Sequence, residues 1–460
     1  MQNSQTATIN NNDDWEVAQL KSLVDYRKGK KPLDLSDENK IGSQPYIDIE
    51  AFEKGNLRRF TSDKSAPIST ANDILVVWDG ARCGLAGKAE GAIGSTLMKL
   101  TPKNLNSDFL LLFLQSKYTQ INTRPRGTGI PHVNPEFFWE IEVPIPSREI
   151  QDVIVKKSKL FATHIIKSIA NINKSKKIVQ KFRQSVLSAA VSGRLTEEWR
   201  KRNPIIESGS DLLARIKNER HTKYQDILNG AKKENRSKPR KLYSEDFPVI
   251  KLEEIEETIP ENWTFTNVGF LAFVTKLAGF EYTKYIKLSD EGEVPAIRAQ
   301  NVQMGRFVEE NIKYISKEIS DILDRSQLHG REILMVFIGA GTGNVCLAPQ
   351  GRQWHLAPNV AKIDVDGIDV NYLFYYLQSP IGFHHTMSWM KATAQPSLSM
   401  ETIRQIIVSV PPLEEQREIV RRITLILEDA DLVEKQIEIA GNKADKLTQS
   451  ILAKAFRGEL

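Results

Sequence analysis

Near the C-terminus, apolar residues recur at alternating steps of four and three: Ile419, Ile423, Ile426, Ala430, Val433, Ile437, Ala440, Ala444, Leu447 and Ile451. Such spacing lays them along one stripe of a helix, so the segment is predicted to be a long helix with an a/d heptad seam. A second stretch carries Ile154, Ser158, Phe161, Ile165, Ser168, Ile172, Ser175, Val179, Phe182 and Val186 in the same register. Three serines weaken that seam, although Ile166, Ile169 and Ile178 lie beside it. Neither stretch has an interior proline, so each could run for about 45 residues, roughly 65–70 Å at 1.5 Å per residue. The regions preceding the two seams are dense in short apolar runs broken by Gly, Pro and Asn. They are predicted to be mixed α/β globules with strand-rich cores.

The pattern is a repeat. KFRQSVLSAAVSGRL at 181–195 and KLTQSILAKAFRGEL at 446–460 share seven of fifteen residues without a gap. At the same offset, TGIPHVNPEFFWEIEVPIPSREIQ meets TAQPSLSMETIRQIIVSVPPLEEQ, pairing Pro131 with Pro396, Glu136 with Glu401 and Gln151 with Gln416. Further back, FLLLFLQSK parallels YLFYYLQSP, NDILVVWDGARCG parallels REILMVFIGAGTG, and Trp15 opens one copy as Trp263 opens the other. The chain is therefore two copies of a unit of about 190 residues. The boundaries expected are a polar tail 1–14, a globule 15–148, a helix 149–200, a connector 201–259, a second globule 260–412 and a second helix 413–460. Two seams in one chain most simply find each other. A parallel pair puts both globules at one end; an antiparallel pair puts one at each end and gives a pseudo-twofold axis. The remaining possibility is that each helix packs only on its own globule.

The connector reads differently. Residues 211–241 hold ten Lys or Arg against four acidic residues. Leu212, Leu213 and Ile216 suggest a short helix followed by a basic, solvated linker, with DNA contact as the sharper alternative.

Composition changes this picture little. With 40% hydrophobic and 26% charged residues in 460, the chain is globular and long enough for two to four domains. A net charge of +5 does not by itself announce a nucleic-acid binder, so any such surface must come from local clustering. Cys83 and Cys346 are too few for a four-ligand zinc site and fit a reducing cytosol. The polar start MQNSQTATINNNDDW has no leader character, and the longest apolar run, ILMVFIGAG, is a strand and turn. A soluble, cytoplasmic protein with no membrane contact is expected.

Catalytic machinery is not legible. GAGTGNV at 339–345 lacks the Lys-Ser/Thr ending of a phosphate-binding loop and reads as a tight turn between strands. NPEF at 134–137 and VPPL at 410–413 resemble the Asn/Asp-Pro-Pro-aromatic signature of amino-methyltransferases without completing it. No serine nucleophile elbow is present, and His384 and His385 are adjacent, so their side chains diverge on a helix. From the residues alone a coiled-coil scaffold for protein partners remains, beside an enzyme with an unrecognised carboxylate site.

Duplicated globules alternating with duplicated helices, the helix ends QSVLSAAVSGRL and QSILAKAFRGEL, and the PIPSREIQ and PPLEEQREI segments that open the helices resemble the specificity subunit of type I restriction–modification systems. The Gly-Thr-Gly-Ile-Pro and Ala-Thr-Ala-Gln-Pro turns also fit that family. The resemblance implies an α+β fold of two pseudo-repeated target recognition domains separated by two long antiparallel helices. It implies a non-catalytic subunit in which each globule reads one half of an asymmetric, bipartite site on double-stranded DNA while the helices set the spacer. Two methyltransferase subunits, and two restriction/translocase subunits in the full complex, are the partners implied. S-adenosylmethionine, ATP and Mg are expected on those partners, and no cofactor or metal on this chain.

Base edges are read by Arg, Lys, Asn or Gln, and phosphates are held by donors in loops. In the first globule the candidates are Arg27, Lys28, Lys30, Lys31, Arg58, Arg59, Arg82, Arg124 and Arg126. In the second they are Arg298, Gln300, Asn301, Gln303, Arg306, Arg352 and Lys391, with Trp354, His355 and Trp389 as stacking or core residues. For the partner-docking helices the resemblance points to Gln184, Ser185, Leu187 and Gly193, and to Gln449, Ser450, Leu452 and Gly458.

Overall fold

The structure is a computed structural model that describes residues 15–126, 130–204, 207–239, 241, 243, 258–388 and 397–457. It divides into two compact units, Met1–Ser175 with Gln436–Leu460, and Lys176–Lys435.

In the first unit an antiparallel four-stranded sheet has the order Val24–Lys28, Leu97–Pro102, Ile74–Val77, Ala86–Gly87. A second sheet has the order Phe60–Thr61, Gln44–Ile47, Gly91–Ile93, Ile68–Ser69, and its central pair is parallel. The apolar run Ile-Leu-Val-Val at 74–77 is buried throughout because it has a core on either side. Ile74 and Val76 pack with Phe109, Phe113 and Leu114 of the helix Ser107–Asn122. Leu75 and Val77 pack with Ile47, Ile93 and Leu97. An antiparallel ribbon of Glu16–Gln19 and Glu142–Ile145 closes the globule.

The second unit is built in the same way. One sheet has the order Ala272–Lys276, Val360–Val365, Ile333–Val336, Val345–Leu347. The other has the order Lys313–Ile315, Val294–Ile297, Trp354–Leu356, Gln327–Leu328. Thr264–Asn267 and Ile407–Val410 form its ribbon. The connector begins as a helix, Gly209–Lys233, capped by Ser208 and packed through Leu212, Leu213 and Ile216 onto this core.

The long helices run from Arg148 to Val191 and from Leu413 to Ala455. Each starts on its own globule through a repeated joint. Gln151 Oε1 accepts from the Asn106 amide and its Nε2 donates to the Pro146 carbonyl, both at 2.9 Å. Gln416 does the same with the Asp369 amide and the Pro411 carbonyl, again at 2.9 Å. Asn106 and Asp369 in turn cap the N-termini of the helices that follow them.

The helix ends settle the remaining alternative. Ala455 and Phe456 are buried in the core of the first globule, where the Phe456 ring lies edge-on to Phe109 at 5.4 Å and Phe113 at 5.3 Å. Ala190 and Val191, the aligned residues of the other copy, are buried in the core of the second globule with Leu187. Each unit thus holds the start of its own helix and the end of the other copy's, and the two segments run in opposite directions. A repeated helix end is needed because there are two similar globules to receive it.

The seam is less continuous than the heptad pattern predicts. Ile154, Val179, Val186, Ile419, Ile423 and Ala430 are buried, but Phe161, Val433 and Leu447 are exposed. Two helices alone cover only a narrow strip of each other, and these three side chains of the stripe stay outside it.

Candidate nucleic-acid interface

In the first globule Arg27 and Lys28 stand side by side on the edge strand Val24–Lys28, so the pleat sends them to opposite faces. Lys28 Nζ lies 2.9 Å from Asp79 Oδ2, and the other oxygen of Asp79 is 2.7 Å from His132 Nδ1. Lys30 and the exposed Lys31 follow in a loop tied down by carboxylates. Asp63 accepts from the Leu33 amide, and Asp34 accepts from Thr61 Oγ1 and the Ser62 amide. Hydrogen bonds from the Ser65 side chain, then from the Leu33 and Ser65 amides, bring the Asp63 carboxyl down to about 2. Lys30 Nζ sits beside Ser65 and 4.0 Å from Asp63. The basic loop is therefore shaped by its acids, while Lys31 and Arg27 project into solvent.

Arg58 and Arg59 flank a concavity of about 240 Å³ whose other walls include Asp48, Glu50 and Asn56. Arg59 pairs with Asp48 and lies 5.3 Å from the centre of the Tyr46 ring. Arg82, in the turn after Ile74–Val77, pairs with Glu53 at 2.9 Å. The Arg124 guanidinium lies 4.8 Å over the Phe137 ring, and Arg126 exchanges backbone hydrogen bonds with His132. These nine cations are spread over several loops, most of them already engaged.

In the second globule Gln300 is exposed, Arg298 is half-buried with its Nη2 donating to the Asn311 carbonyl, and Gln303 Oε1 accepts from Arg306 Nε at 2.9 Å and Nη2 at 2.7 Å. Arg352 pairs with Glu309 at 2.6 Å and lies over the Trp354 ring at 4.4 Å. Asn301 is a correction: it is buried, and its Nδ2 donates to the Val308 and Glu310 carbonyls while its Oδ1 accepts from the Arg298 amide. Its polar atoms hold a turn and do not face a ligand. Trp354 and His355 likewise belong to the core. Lys391 and Trp389 lie outside the described residues.

Of the docking candidates, Gln184 and Ser185 are exposed and line a surface groove of about 670 Å³ with Ser188, Ala189, Arg194, Leu195 and Pro380. Leu187 and Gly193 are corrections. Leu187 points into the globule, and Gly193 ends the helix at φ +77°, where a Cβ would meet Pro260 at 2.5 Å. Ser450 is exposed; the side chains of Gln449 and Leu452, and Gly458 altogether, lie outside the described residues.

Buried thiols complete the inventory: burial pushes Cys346 up to about 12 and raises Cys83. His385 Nδ1 is within 3.1 Å of the Tyr376 hydroxyl and 3.2 Å of the Ile407 carbonyl, a packing role. Among the described residues no helix is long and apolar enough to cross a membrane.

The doubled globule-and-helix plan coincides with a known family. The model of the type I restriction modification DNA specificity domain matches residues 12–178 and again 260–440. The chain belongs to that family. It is a recognition subunit, and the catalytic activities of such systems belong to other subunits. Among its relatives, the type I restriction enzyme MjaVIII specificity subunit of Methanocaldococcus jannaschii is 26% identical over 97% of this chain and 93% of its own length. The EcoBI specificity subunit of Escherichia coli is 24% identical over 97% of this chain and 86% of its own. A structure solved in a study of complex assembly and conformational transition of the type I R-M system shares the fold, with a TM-score of 0.58 at 16% identity, covering 97% of this chain and 98% of that one.

Sequence reasoning missed three features of this specificity chain. The Lys28–Asp79–His132 cluster joins residues far apart in sequence and carries no motif. Glu415 is buried at the start of the second long helix, and its partners come from two other segments. Tyr26 stacks on Trp139. The signal that could have found the last pair is divergence, since the aligned positions in the other copy are not aromatic.

Proposed function

We propose that each globule reads one half of a bipartite, asymmetric target on double-stranded DNA and that the two long helices fix the number of base pairs between the halves. The observation that carries this reading is that one strand order is built twice while the polar loops around it differ. A shared scaffold with divergent loops suits two different half-sites. Half-sites on one face of a duplex recur at about 34 Å per turn, the scale of a helical spacer. Arg27, Lys31 and Gln300 are the exposed candidates for DNA contact, with Lys28, Lys30, Arg58, Arg59, Arg82, Arg124, Arg298, Gln303, Arg306 and Arg352 engaged by protein partners and Arg126 in a backbone-bonded turn.

The partners in this reading are two methyltransferase subunits and, in the full complex, two restriction/translocase subunits, acting in the cytoplasm. The partners carry S-adenosylmethionine, ATP and Mg. Support comes from the groove at Gln184 and Ser185 and from the exposed apolar side chains of the helices, among them Ile166, Ile178 and Phe182 on the first and Leu425 and Leu432 on the second.

Methylation mapping tests the proposal. The chain is expressed with its cognate modification subunit in cells lacking other methyltransferases, and the DNA is sequenced for N6-methyladenine. One split motif with a modified adenine in each half and a fixed gap is expected. A stable complex with an active partner and no motif would leave the helices as a protein scaffold and defeat the reading.

A further inference from the structure

The inward face of the edge strand Val24–Lys28 runs out of the core to the surface. Val24 is buried, Tyr26 is 49% exposed, and Lys28 reaches Asp79. Tyr26 lies against Trp139, with ring centres 4.3 Å apart and planes inclined at 34°. Trp139 is backed in turn by Trp78 at 5.8 Å and Phe138 at 5.0 Å. Trp78 and Phe138 are themselves edge-to-face at 5.2 Å and belong to the main core. A half-exposed ring is thus set on a pedestal of aromatic rings rooted in the globule. Two residues back on the helix Pro135–Trp139, and so on another face of it, the Phe137 ring carries the Arg124 guanidinium.

At the aligned positions the second globule has no such feature. The aligned position on its edge strand Ala272–Lys276 is Val274, which is 1% exposed. Trp139 is replaced by Arg404, whose Nη2 donates to the Val274 carbonyl at 2.8 Å. A surface serving the same partner at both globules should be present in both. A surface present in one only suits a ligand that differs between them, and the DNA half-site is the ligand that does.

We propose that Tyr26 on its Trp139 pedestal is a nucleobase-stacking platform of the first globule, taking the face of one base in the first half-site. The proposal rests on the DNA-recognition reading above. Aromatic faces bind bases through stacking, and the pedestal holds the ring in place before binding, so little side-chain freedom is lost. Bases in an undistorted duplex have both faces covered by neighbours. The platform therefore receives a base only where the step is opened, by a kink or by extrusion of the adjoining nucleotide. The cation of Lys28, on the same strand face, adjoins the platform and suits a phosphate beside an opened step.

The test uses the complex of the full chain with its modification subunit and two labelled duplexes, one carrying the methylation-mapped site and one of random sequence, with affinity read by fluorescence anisotropy. Tyr26→Phe keeps the stacking face and is expected to bind the mapped site within about threefold of the native complex. Tyr26→Leu and Tyr26→Ala are expected to lose about tenfold on the mapped site and nothing on the random duplex. Tyr26→Leu keeps an apolar side chain at this position, so it separates stacking from plain apolar contact. If Tyr26→Leu binds the mapped site as the native complex does, the platform is overturned while DNA recognition stands. Native-like DNA affinity with weakened assembly of the Tyr26→Ala complex would assign the ring to a protein interface, and also overturns it. A native complex that fails to distinguish the two duplexes would instead sink the underlying reading.

Discussion

The indole Nε1 of Trp263 donates to Glu415 Oε2 at 2.9 Å, joining the start of the second copy to the start of its long helix inside the core. The other oxygen of Glu415 accepts from Thr196 Oγ1 at 2.7 Å and from Arg200, just beyond the end of the first long helix. One wholly buried carboxylate therefore clamps three segments together. The first copy has Ile150 at the aligned position, a side chain that accepts no hydrogen bond. Removing one partner of a buried ion pair leaves the other uncompensated, at about 3–5 kcal/mol. Glu415→Ala is expected to destabilise the second unit by about 3 kcal/mol, seen as a lower urea midpoint in equilibrium unfolding.

Phe456 fills the first globule between Phe109 and Phe113, where Val191 does the equivalent work in the second. Truncation cost follows the volume removed from a core that relaxes only in part. Phe456→Ala is expected to cost about 3–4 kcal/mol and Val191→Ala about half of that. Unfolding followed by tryptophan fluorescence checks the order of the two.

Hydrogen bonding to Arg421 and then to Arg422 holds the Glu418 carboxyl down to about 2, from an ordinary 4.5. A folded-state value below the unfolded one means that the contribution is complete above about pH 4.5 and is lost as the pH falls toward 2. Glu418→Gln lacks this contribution at every pH. The native chain is expected to exceed the variant in urea midpoint at pH 6, with the difference narrowing at pH 3.

Lys31 is exposed in the basic loop of the first globule, where a phosphate contact would carry no sequence information. Lys31→Ala is expected to weaken binding to mapped and random duplexes alike. The slope of log affinity against log salt should flatten by about 0.9. An unchanged slope would remove Lys31 from the DNA surface.

Much of the architecture was legible because it is written in short-range pattern. The heptad steps from Ile419 to Ile451, the pairing of Gln151 with Gln416 and the buried run at 74–77 each need only a local rule. The repeat then multiplies every such observation by two. Site residues were less legible, because a polar side chain has the same local signature whether it meets solvent or the protein itself. Asn301 looked like a base reader and is a buried turn-holder. Leu187 looked like a docking residue and is core.

By itself the sequence determined that the chain is a globule and helix built twice, since helical period, strand runs and internal identity are properties of neighbouring residues and aligned copies. Tertiary structure alone decided that each helix ends in the other copy's globule, that Glu415 joins three segments and that Tyr26 rests on Trp139. Those contacts join residues more than a hundred positions apart, and their energy depends on which faces meet, a quantity that no local periodicity contains.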